Sequence, residues 1–465
     1  MTQEQQLSSK DLRPITHRRV VALAFPAFLS GITEPLLSLA DVAIVGQLET
    51  AGLQGGVALA SQIFTFTFWT LGFLRLSTGG YTAQAFGERN EQKLFAVLWR
   101  GLIIAAVGGA LLWLLAPLFW LGLNGVMGWQ AELRPTVQAY LGIRIWAAPA
   151  VLFSYVCFGW LIGQQRTGLV LLLQAFINLT NICVSAWLVL ALDMGVAGVA
   201  LGSVIASYAG VGLGGLILLK LGAFNRSGRA GLNGIWQGAA WLRLFSTNTN
   251  FFLRSLAFAV AFLVLFKAAD WLDQREGLDG LNADTLAVLW QMLGLIIYGM
   301  DAFAVAAEAF AGEAVGAKRR DRLRRSTRLV FLWSLISSVI AAVIFATTGS
   351  WSLAYITKLP DVLALSRELM PYIYLGGFYM TAPFMFDGIF LGATRASDMR
   401  DSVIIGVVVQ TGLVVALVPW LGMHGLFLSV AGFMTARGLL LLSRYPALVA
   451  SVPDRAAADE TKASA

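Results

Sequence analysis

The sequence predicts an all-α integral membrane protein in which twelve transmembrane helices form two six-helix lobes. Of the 465 residues, 58% are hydrophobic and only 13% are charged, whereas about a quarter of the residues of a soluble domain carry charge. Apolar segments near the roughly 20 residues that a spanning helix needs recur along the whole chain. The second half of the chain also repeats the first, so the two lobes are expected to share one fold.

The internal repeat is visible in short motifs that keep nearly the same spacing. The repeated segments are TAQAFGERNEQKL (82–94) with AGEAVGAKRRDRL (311–323) and GWLIGQQR (159–166) with GIFLGATR (388–395), each 229 positions apart, and GVAG (195–198) with GMHG (422–425) near that offset. Paired halves in an apolar chain are typical of secondary transporters, which bind substrates and ions near the middle of the membrane.

Each apolar segment is expected to form one helix. The predicted helices are 18–46, 53–80, 94–122, 136–163, 166–192 and 195–221 in the first half, and 241–268, 286–315, 327–350, 367–393, 399–420 and 424–446 in the second. They divide the chain into an N-terminal cytoplasmic segment (1–17), an N-lobe (18–221), a cytoplasmic connector (222–240), a C-lobe (241–446) and a cytoplasmic tail for which the composition predicts disorder (447–465).

The loop charges predict the orientation in the membrane, because basic loops stay in the cytoplasm. The segment 318–328 has seven Lys or Arg residues and one acid, whereas the segment 270–284 has five acids and one Arg. Arg13, Arg18, Arg19, the connector, Arg395 and Arg400 fall on the side of 318–328. The protein is therefore expected in the cytoplasmic (inner) membrane of a bacterium, with both termini on the cytoplasmic side. With six helices per half, both halves enter from the same side, so the repeat is parallel and suits a V-shaped carrier.

Charged groups at membrane depth are functional candidates because burying them in hydrocarbon is costly. Glu34 and Asp41 lie two helical turns apart and therefore on one face of the first helix. Pro35 between them favours a kink. A kinked helix that presents an acid to an internal cavity suits the binding of a proton or another cation.

Further polar groups are predicted at similar depth in other helices. They are Asp301 and Glu308 in the eighth helix, Asp387 one turn after Pro383 in the tenth, and Asn178, Asn181 and Ser185 in the fifth. Burial raises the pKa of a carboxyl group in general, which suits proton exchange near neutral pH. Two close acids, or an acid with amide and hydroxyl oxygens, would instead suit Na⁺.

Each candidate also has a purely structural interpretation. Asp41 lies near the predicted outer end of its helix and is also a candidate interfacial residue, and Glu34 is a candidate ion-pair partner of Arg75 or Arg254. Asp301 and Glu308 are equally suited to lining a cleft and to locking helices together, and Asp387 to pairing with Arg254. Sequence alone leaves these alternatives open.

Several function classes lack their usual residues. No Gly-Lys dipeptide occurs, so the chain has no Walker A phosphate loop. The two histidines, His17 and His424, lie near helix ends, which argues against a metal centre or a hydrolytic triad. Cys157 and Cys183 are expected to be buried free thiols. We therefore expect neither enzyme activity, nor a cofactor other than a coupling ion, nor a nucleic-acid partner, since the net charge of +7 is explained by topology.

Four segments resemble the multidrug and toxic compound extrusion (MATE) transporters over essentially the whole chain. They are PLLSLADVAIVGQLE (35–49), LRLSTGGYTAQAFGERN (74–90), YGMDAFAVAAEAFAGEAVGA (298–317) and FDGIFLGATRASDMRDS (386–402). The resemblance implies export of bulky organic compounds, often cationic or amphipathic, in exchange for H⁺ or Na⁺. It also implies a monomer in the lipid bilayer.

The resemblance assigns the coupling role to Asp41, since the family motif D-x-A-x-x-G-x-L is read here as DVAIVGQL. Protonation of this acid is thought to bend the first helix, and Pro26 and Pro35 are suited to act as hinges. The family motif N-I-x-x-D is read as NICVS, so Asn181 matches but Ser185 replaces an aspartate. This departure favours H⁺ over Na⁺, with Glu34 as a candidate second acid. The resemblance gives only weak support for a cation-site role of Asp387, because the sequence around it differs from the family motif.

The leading interpretation is thus a drug/H⁺ antiporter that works by alternating access. A Na⁺-coupled antiporter is one alternative, and a flippase for lipid-linked precursors, which shares the broader fold, is another. A flippase is expected to line its cleft with basic residues, whereas the charges predicted at depth are mainly acidic. A membrane-embedded enzyme or a scaffold for a partner is a further alternative, but neither needs paired acids within duplicated halves.

Overall fold

The computed structural model describes residues 13–46, 53–126 and 133–454, and it is helical throughout these ranges apart from short turns. The helices of the first half are α1 (His17–Val45), α2 (Leu53–Thr70), α3 (Phe73–Gly87), α4 (Glu91–Val126), α5 (Arg134–Arg144), a 3₁₀ turn (Ile145–Ala147), α6 (Ala148–Gly163), α7 (Thr167–Leu190) and α8 (Gly195–Lys220). The connector contains α9 (Arg226–Asn233), and the second half contains α10 (Gly238–Glu276), α11 (Leu281–Gly316), α12 (Arg320–Ile356), α13 (Pro360–Tyr374), α14 (Gly376–Gly392) and α15 (Ala396–Ser451).

The predicted twelve spans are recovered once broken helices are combined. Among the described residues, nine helical stretches are long and apolar enough to cross a membrane. One of them, α15, has non-helical backbone at Gly422 and therefore contains two spans. The helix α1 and the pair α13–α14 complete the twelve. The all-α fold class predicted from the sequence is confirmed.

The predicted end of the last helix differs from the structure. The last helix continues past residue 446 to Ser451, because Leu448 and Val449 are buried and Arg320 bonds the carbonyl groups of Ala450 and Val452. The predicted disordered tail therefore begins too early, and residues 455–465 lie outside the described residues.

The connector, for which no helix is predicted, contains α9, which packs against α4. Trp99 Nε1 donates to the carbonyl of Gly228 at 3.1 Å, and Arg100 donates to the carbonyls of Gly234 and Ile235. The Arg100 bonds satisfy backbone oxygens just past the end of this short helix.

The backbone confirms the internal repeat, because unusual conformations recur at the same offset. Arg89 and Lys318, 229 positions apart, have φ of 54° and 57°. The pairs Gln165 with Thr394 (62° and 55°) and Asp193 with Gly422 (both 52°) keep this offset. Left-handed residues of this kind end helices and reverse the chain, so the two halves turn at equivalent points.

The two halves meet in a seam where glycines allow backbone contact. A Cβ on Gly87 would overlap the Glu313 carbonyl, and its repeat counterpart Gly316 touches the carbonyl of Gln84 in the same way. Gly80 approaches the Leu391 carbonyl. The seam thus joins α3 of the first half to α11 and α14 of the second, and substituting its glycines with larger residues would force the halves apart.

Helix α1 bridges the halves. Its first part buries Val20, Leu23 and Ala24 in an apolar cluster whose other buried members, apart from Ile15, belong to the second half. The helix also packs along α7 of its own half and along α11 of the other. A change in the bend of α1 would therefore act on both halves.

The two cysteines are both free, but only Cys157 is buried. Cys183 is exposed on α7, so the expectation of two buried thiols is wrong for this residue. Its position follows from the helix surface, since neighbouring Leu179 and Trp187 are also exposed.

Candidate functional site

Helix α11 lies between the halves and leaves part of its surface exposed, and we call the space that this surface faces the cleft. This helix packs against α3 and α1 of the first half and against α10, α12, α13 and α14 of the second. Despite this central position, Gln291, Leu295 and Asp301 are exposed along it. Asp301 lies within electrostatic range of Arg75, Arg254 and Asp387, and makes no ion pair with another described residue. It therefore presents a carboxylate to the cleft deep inside the molecule.

Glu308, predicted beside Asp301 in a substrate cavity, lies in the seam instead. Its side chain is 1% exposed, and Arg75 of α3 approaches its Oε2 at 3.7 Å, across the two halves. Its Oε1 is buried, contacts Gly79 and has no hydrogen-bond partner among the described residues. Arg75 is thus placed at the boundary between seam and cleft.

Asp387 is held by two arginines of the second half. Its Oδ2 accepts from Arg254 at 2.7 Å and from Arg437 at 2.5 Å. Both guanidinium groups lie over the Phe258 ring, at 5.0 and 4.7 Å from its centre. The pairing of Asp387 with Arg254 that the sequence offered as a structural alternative is present, and Pro383 lies one turn earlier within α14. Asp387 thus forms a buried cluster with two arginines and an aromatic ring, in which its carboxylate offsets one of the two positive charges.

Replacing Asp387 with Ala is expected to lower stability strongly, because Arg437 is 1% exposed and would lose its carboxylate. Breaking one partner out of a buried ion pair costs about 3–5 kcal/mol. Thermal unfolding in detergent measures this effect. The control is Asp270→Ala, whose 3.4 Å pair with Lys267 is largely exposed and should contribute about 1 kcal/mol or less. Equal shifts for both variants would contradict a stabilising role for the buried network.

A third constellation closes the seam at the basic end of the bundle, and we call it the Glu313 latch: Glu313, Arg322, Arg19 and Gln165. Glu313 accepts from Arg322 at 2.7 Å and from Gln165 Nε2 at 2.5 Å, and Arg19 approaches it at 3.6 Å. Arg19 also donates to Gln165 Oε1 at 2.6 Å. Glu313 is 2% exposed. The latch therefore ties α1 and the α6–α7 turn of the first half to α11 and α12.

The repeat gives the latch a neutral counterpart. Gln84 occupies the position of Glu313 in the first half, and its Nε2 donates to Thr394 Oγ1 at 3.1 Å and to the Gly392 carbonyl at 3.0 Å. Thr394 is in turn the counterpart of Gln165. The seam thus has two related hydrogen-bonded contacts, of which only one carries charge.

The predicted polar residues of α7 form a buried network with α8. Asn181 Nδ2 donates to Ser203 Oγ at 2.8 Å, and Ser185 Oγ donates to Asn181 Oδ1 at 3.1 Å. Ser185 is fully buried and packs against Gly202. Asn178 accepts from Gln174 at 3.0 Å, while its Nδ2 has no partner among the described residues. A small hydroxyl is what fits at Ser185, because α8 comes so close there.

The remaining predicted residues belong to α1. Its backbone is helical from His17 to Val45 and includes Pro26 and Pro35. The side chains of Glu34, Pro35 and Asp41 lie outside the described residues, so their roles stay predictions. No group of three or more His, Cys, Asp or Glu residues suited to a metal ion occurs where side chains are described.

Sequence reasoning missed Arg437 and the whole Glu313 latch. Arg437 looks like one charge in an apolar helix, and only the fold brings it to Asp387, 50 positions away. Glu313 is part of the repeated motif, where it resembles a loop-proximal acid. The sequence feature that could have identified Glu313 is its repeat counterpart Gln84. Both halves have a polar residue at this position although the neighbouring residues are apolar or small.

Known proteins match this sequence and fold. The chain matches the MatE family over residues 26–187 and 281–419. It is 36% identical over 420 residues to DNA damage-inducible protein F of Escherichia coli strain K12, a match that covers 90% of each chain. A solved MOP superfamily transporter from Pyrococcus furiosus has a TM-score of 0.82 at 18% identity, covering 97% of this chain and 99% of its own. A MATE family multidrug resistance transporter solved in an outward-facing conformation has a TM-score of 0.79 at 19% identity, with the same coverage.

Proposed function

Since this chain belongs to the MatE family, in the branch of DNA damage-inducible protein F, we propose that it is a drug/H⁺ antiporter. The family consists of multi-pass transporters rather than enzymes. The finer proposal is that the chain exports amphipathic organic cations across the inner membrane while protons flow inward. In this proposal Asp41 on α1 is the coupling carboxylate.

The environment of Ser185 is the observation that favours coupling to H⁺ rather than to Na⁺. A tight Na⁺ site requires several oxygen ligands, of which some carry negative charge. Here the α7 position where the resemblance expects an aspartate is a serine, whose hydroxyl is directed to Asn181 and packed on Gly202. One motif carboxylate, without a second at this α7 position, supports the binding of a single proton. Glu34 remains the candidate second acid.

Alternating access follows from the way the halves touch. The glycine seam and the Glu313 latch close the bundle at the end that holds Arg13 and Arg322, which are joined by a 3.0 Å hydrogen bond. The positive-inside rule supports a cytoplasmic location for this end. The exposed cleft beside Asp301 would then open outward. In the transport cycle the halves would rock about the seam, and the bend of α1 would couple the rocking to Asp41.

The cleft supports cationic substrates through Asp301. Arg75 and Arg254 lie within electrostatic range of it, and Asp387 offsets one of the two positive charges of Arg254 and Arg437. Asp301 is the cleft acid whose charge is not offset by a described ion pair. Phe258 and Trp69, whose rings meet edge to face across the halves at 6.1 Å, add an aromatic surface. Such a surface suits a flat cation.

Asp301→Asn is expected to weaken binding of a cationic dye about ten- to hundred-fold, because a charge-assisted hydrogen bond contributes about 1.5–3 kcal/mol. Equilibrium binding to purified protein in detergent measures this change. Asp284→Asn, an exposed acid at the start of the same helix, is the matched control and should bind as wild type does. Unchanged affinity in Asp301→Asn would remove this residue from the substrate site.

The experiment for the proposed function is dye transport by wild-type protein in proteoliposomes, under a pH gradient and separately under a Na⁺ gradient. Transport driven by the pH gradient alone is the expected result. Transport driven only by Na⁺ would overturn the interpretation of Ser185. If neither gradient moves the dye, a flippase becomes the better proposal, and movement of a fluorescent pyrophosphate-linked lipid would test it.

A further inference from the structure

Two glutamates of α11 lie in the same seam, but their carboxylates differ in the number of hydrogen-bond partners. Glu313 has hydrogen bonds to both oxygens, from Arg322 and Gln165, with Arg19 close by. Glu308, five residues earlier, has Arg75 at 3.7 Å from Oε2 and no described partner for its buried Oε1. Both side chains are at least 98% buried, as 1% and 2% exposures show. The comparison separates a fully paired carboxylate from one that is nearly unpaired.

A charged carboxylate is poorly accommodated at Glu308. Taking an ion out of water is costly unless its oxygens gain hydrogen bonds, and Arg75 at 3.7 Å lies beyond hydrogen-bond distance. A neutral carboxylic acid carries no such cost and needs only one proton from water. The closed seam therefore favours the protonated form of this side chain.

The position of Glu308 links its charge to the contact between the halves. Its Oε1 lies against Gly79, which is its own counterpart 229 positions earlier, so the two residues face each other where the repeat axis runs. The backbone carbonyl of Glu308 also lies against Gly392, in the same way that the backbone carbonyl of Gly79 lies against Gly163. When the halves separate, the carboxyl group loses Gly79 and Arg75 together and is exposed to water.

We infer that Glu308 is a second proton-binding site, which holds its proton while the seam is closed and releases it when the halves separate. The inference rests on the proposed H⁺ antiport and adds a step to it. Protonation of Glu308 stabilises the closed seam, and release of the proton to water accompanies opening. Asp301, two turns away on the same face of α11, gives the side chain a polar neighbour toward the cleft.

Other titratable or charged groups belong to the helices packed around α11. Arg75 on α3 and Asp301 on α11 itself interact with Glu308 directly. The others on the packed helices and beside them are Asp387 on α14, Arg254 on α10, Arg437 on α15, Arg19 on α1, Arg322 on α12, Tyr155 and Cys157 on α6, and Asp361, Arg367 and Glu368 on α13. The side chains of Glu34 and Asp41 on α1 lie outside the described residues. The test therefore has to separate Glu308 from Asp301, Glu313 and Asp41 by substitution.

The test is the distance between spin labels across the basic end of the seam, measured as a function of pH in nanodiscs. Labels on cysteines at exposed Gln92 and Arg324, in a background without Cys157 and Cys183, report the closed and open populations. In wild type we expect the closed population to rise as the pH falls. In Glu308→Gln we expect a closed seam at every pH, and in Glu308→Asp a pH dependence with a shifted midpoint.

Matched variants make the outcome specific. Glu313→Gln should reduce the closed population but retain a pH response, and Asp301→Asn should shift the midpoint only modestly. Asp41→Asn should abolish transport but retain the pH response of the seam. A full pH response in Glu308→Gln, or its loss in Asp41→Asn, would overturn the inference while leaving the antiport proposal intact. If Glu308→Gln does not fold, infrared spectroscopy provides the second readout. The band of a protonated buried carboxyl group should be present in wild type and absent from Glu308→Asp at high pH. A fully ionised Glu308 at low pH would contradict the proposal.

Discussion

Asp41→Asn is expected to reduce pH-driven dye transport to the background of protein-free liposomes. Asn keeps the size and a hydrogen-bonding oxygen but cannot exchange a proton, so the driving force no longer reaches the drug site. The effect is large because, in the proposed cycle, the N-lobe site has Asp41 as its motif acid and Ser185 where a second acid is expected. Dye uptake into proteoliposomes with an imposed pH gradient measures it.

The internal repeat supplies the control for this substitution. Asp270 lies 229 positions after Asp41 in the first long helix of the second half, and it forms a 3.4 Å exposed pair with Lys267. Asp270→Asn should transport as wild type does. If Asp41→Asn retains most of its pH-driven transport, the coupling role belongs to another group, and Glu34→Gln becomes the next variant to measure.

Glu313→Gln is expected to open the basic end of the seam and lower transport in proportion. The substitution removes the charge that offsets Arg322 and Arg19 and leaves two arginines facing each other beside a neutral amide. Hydrogen bonds to charged groups contribute about 1.5–3 kcal/mol each, so the closed population should fall on the order of ten-fold or more. Cross-linking of cysteines at Gln92 and Arg324 reports the loss.

Glu88→Gln is the matched control for the latch. Glu88 forms a close pair with Lys93 at 2.6 Å, but both side chains are substantially exposed, at 32% and 44%. An exposed pair contributes little, so this variant should cross-link as wild type does. Equal behaviour of the two variants would show that the Glu313 latch does not determine closure.

The repeat and the spans could be predicted from the sequence because neither depends on which helices come into contact. A run of apolar residues predicts a helix wherever it lies, and a fixed offset of 229 survives divergence of the individual residues. The breaks at Leu71–Gly72 and at Leu375 were not predictable in this way, since the apolar character continues through them. The helix α9 was also missed, because a short Gly-containing segment is stabilised there by Trp99 and Arg100 of α4.

An ion pair could be predicted from the sequence only where few oppositely charged residues were available at the same membrane depth. Asp387 with Arg254 is one such pair, and it is present at 2.7 Å. Arg437 and the latch depend on contacts between distant segments, which no spacing rule gives. Glu308 shows the limit most clearly: helical periodicity places it on the face of Asp301, but the approach of Gly79 decides that it is sealed in the seam.

The central claim, exchange of drug for protons through Asp41, is tested most directly by the proton movement itself. A drug gradient would be imposed across proteoliposomes that contain a pH-sensitive dye, with no pH or Na⁺ gradient present. We predict that protons move against the drug in wild type and in Asp270→Asn, and that they do not move in Asp41→Asn. Drug transport without proton movement in wild type, or undiminished proton movement in Asp41→Asn, would contradict the account.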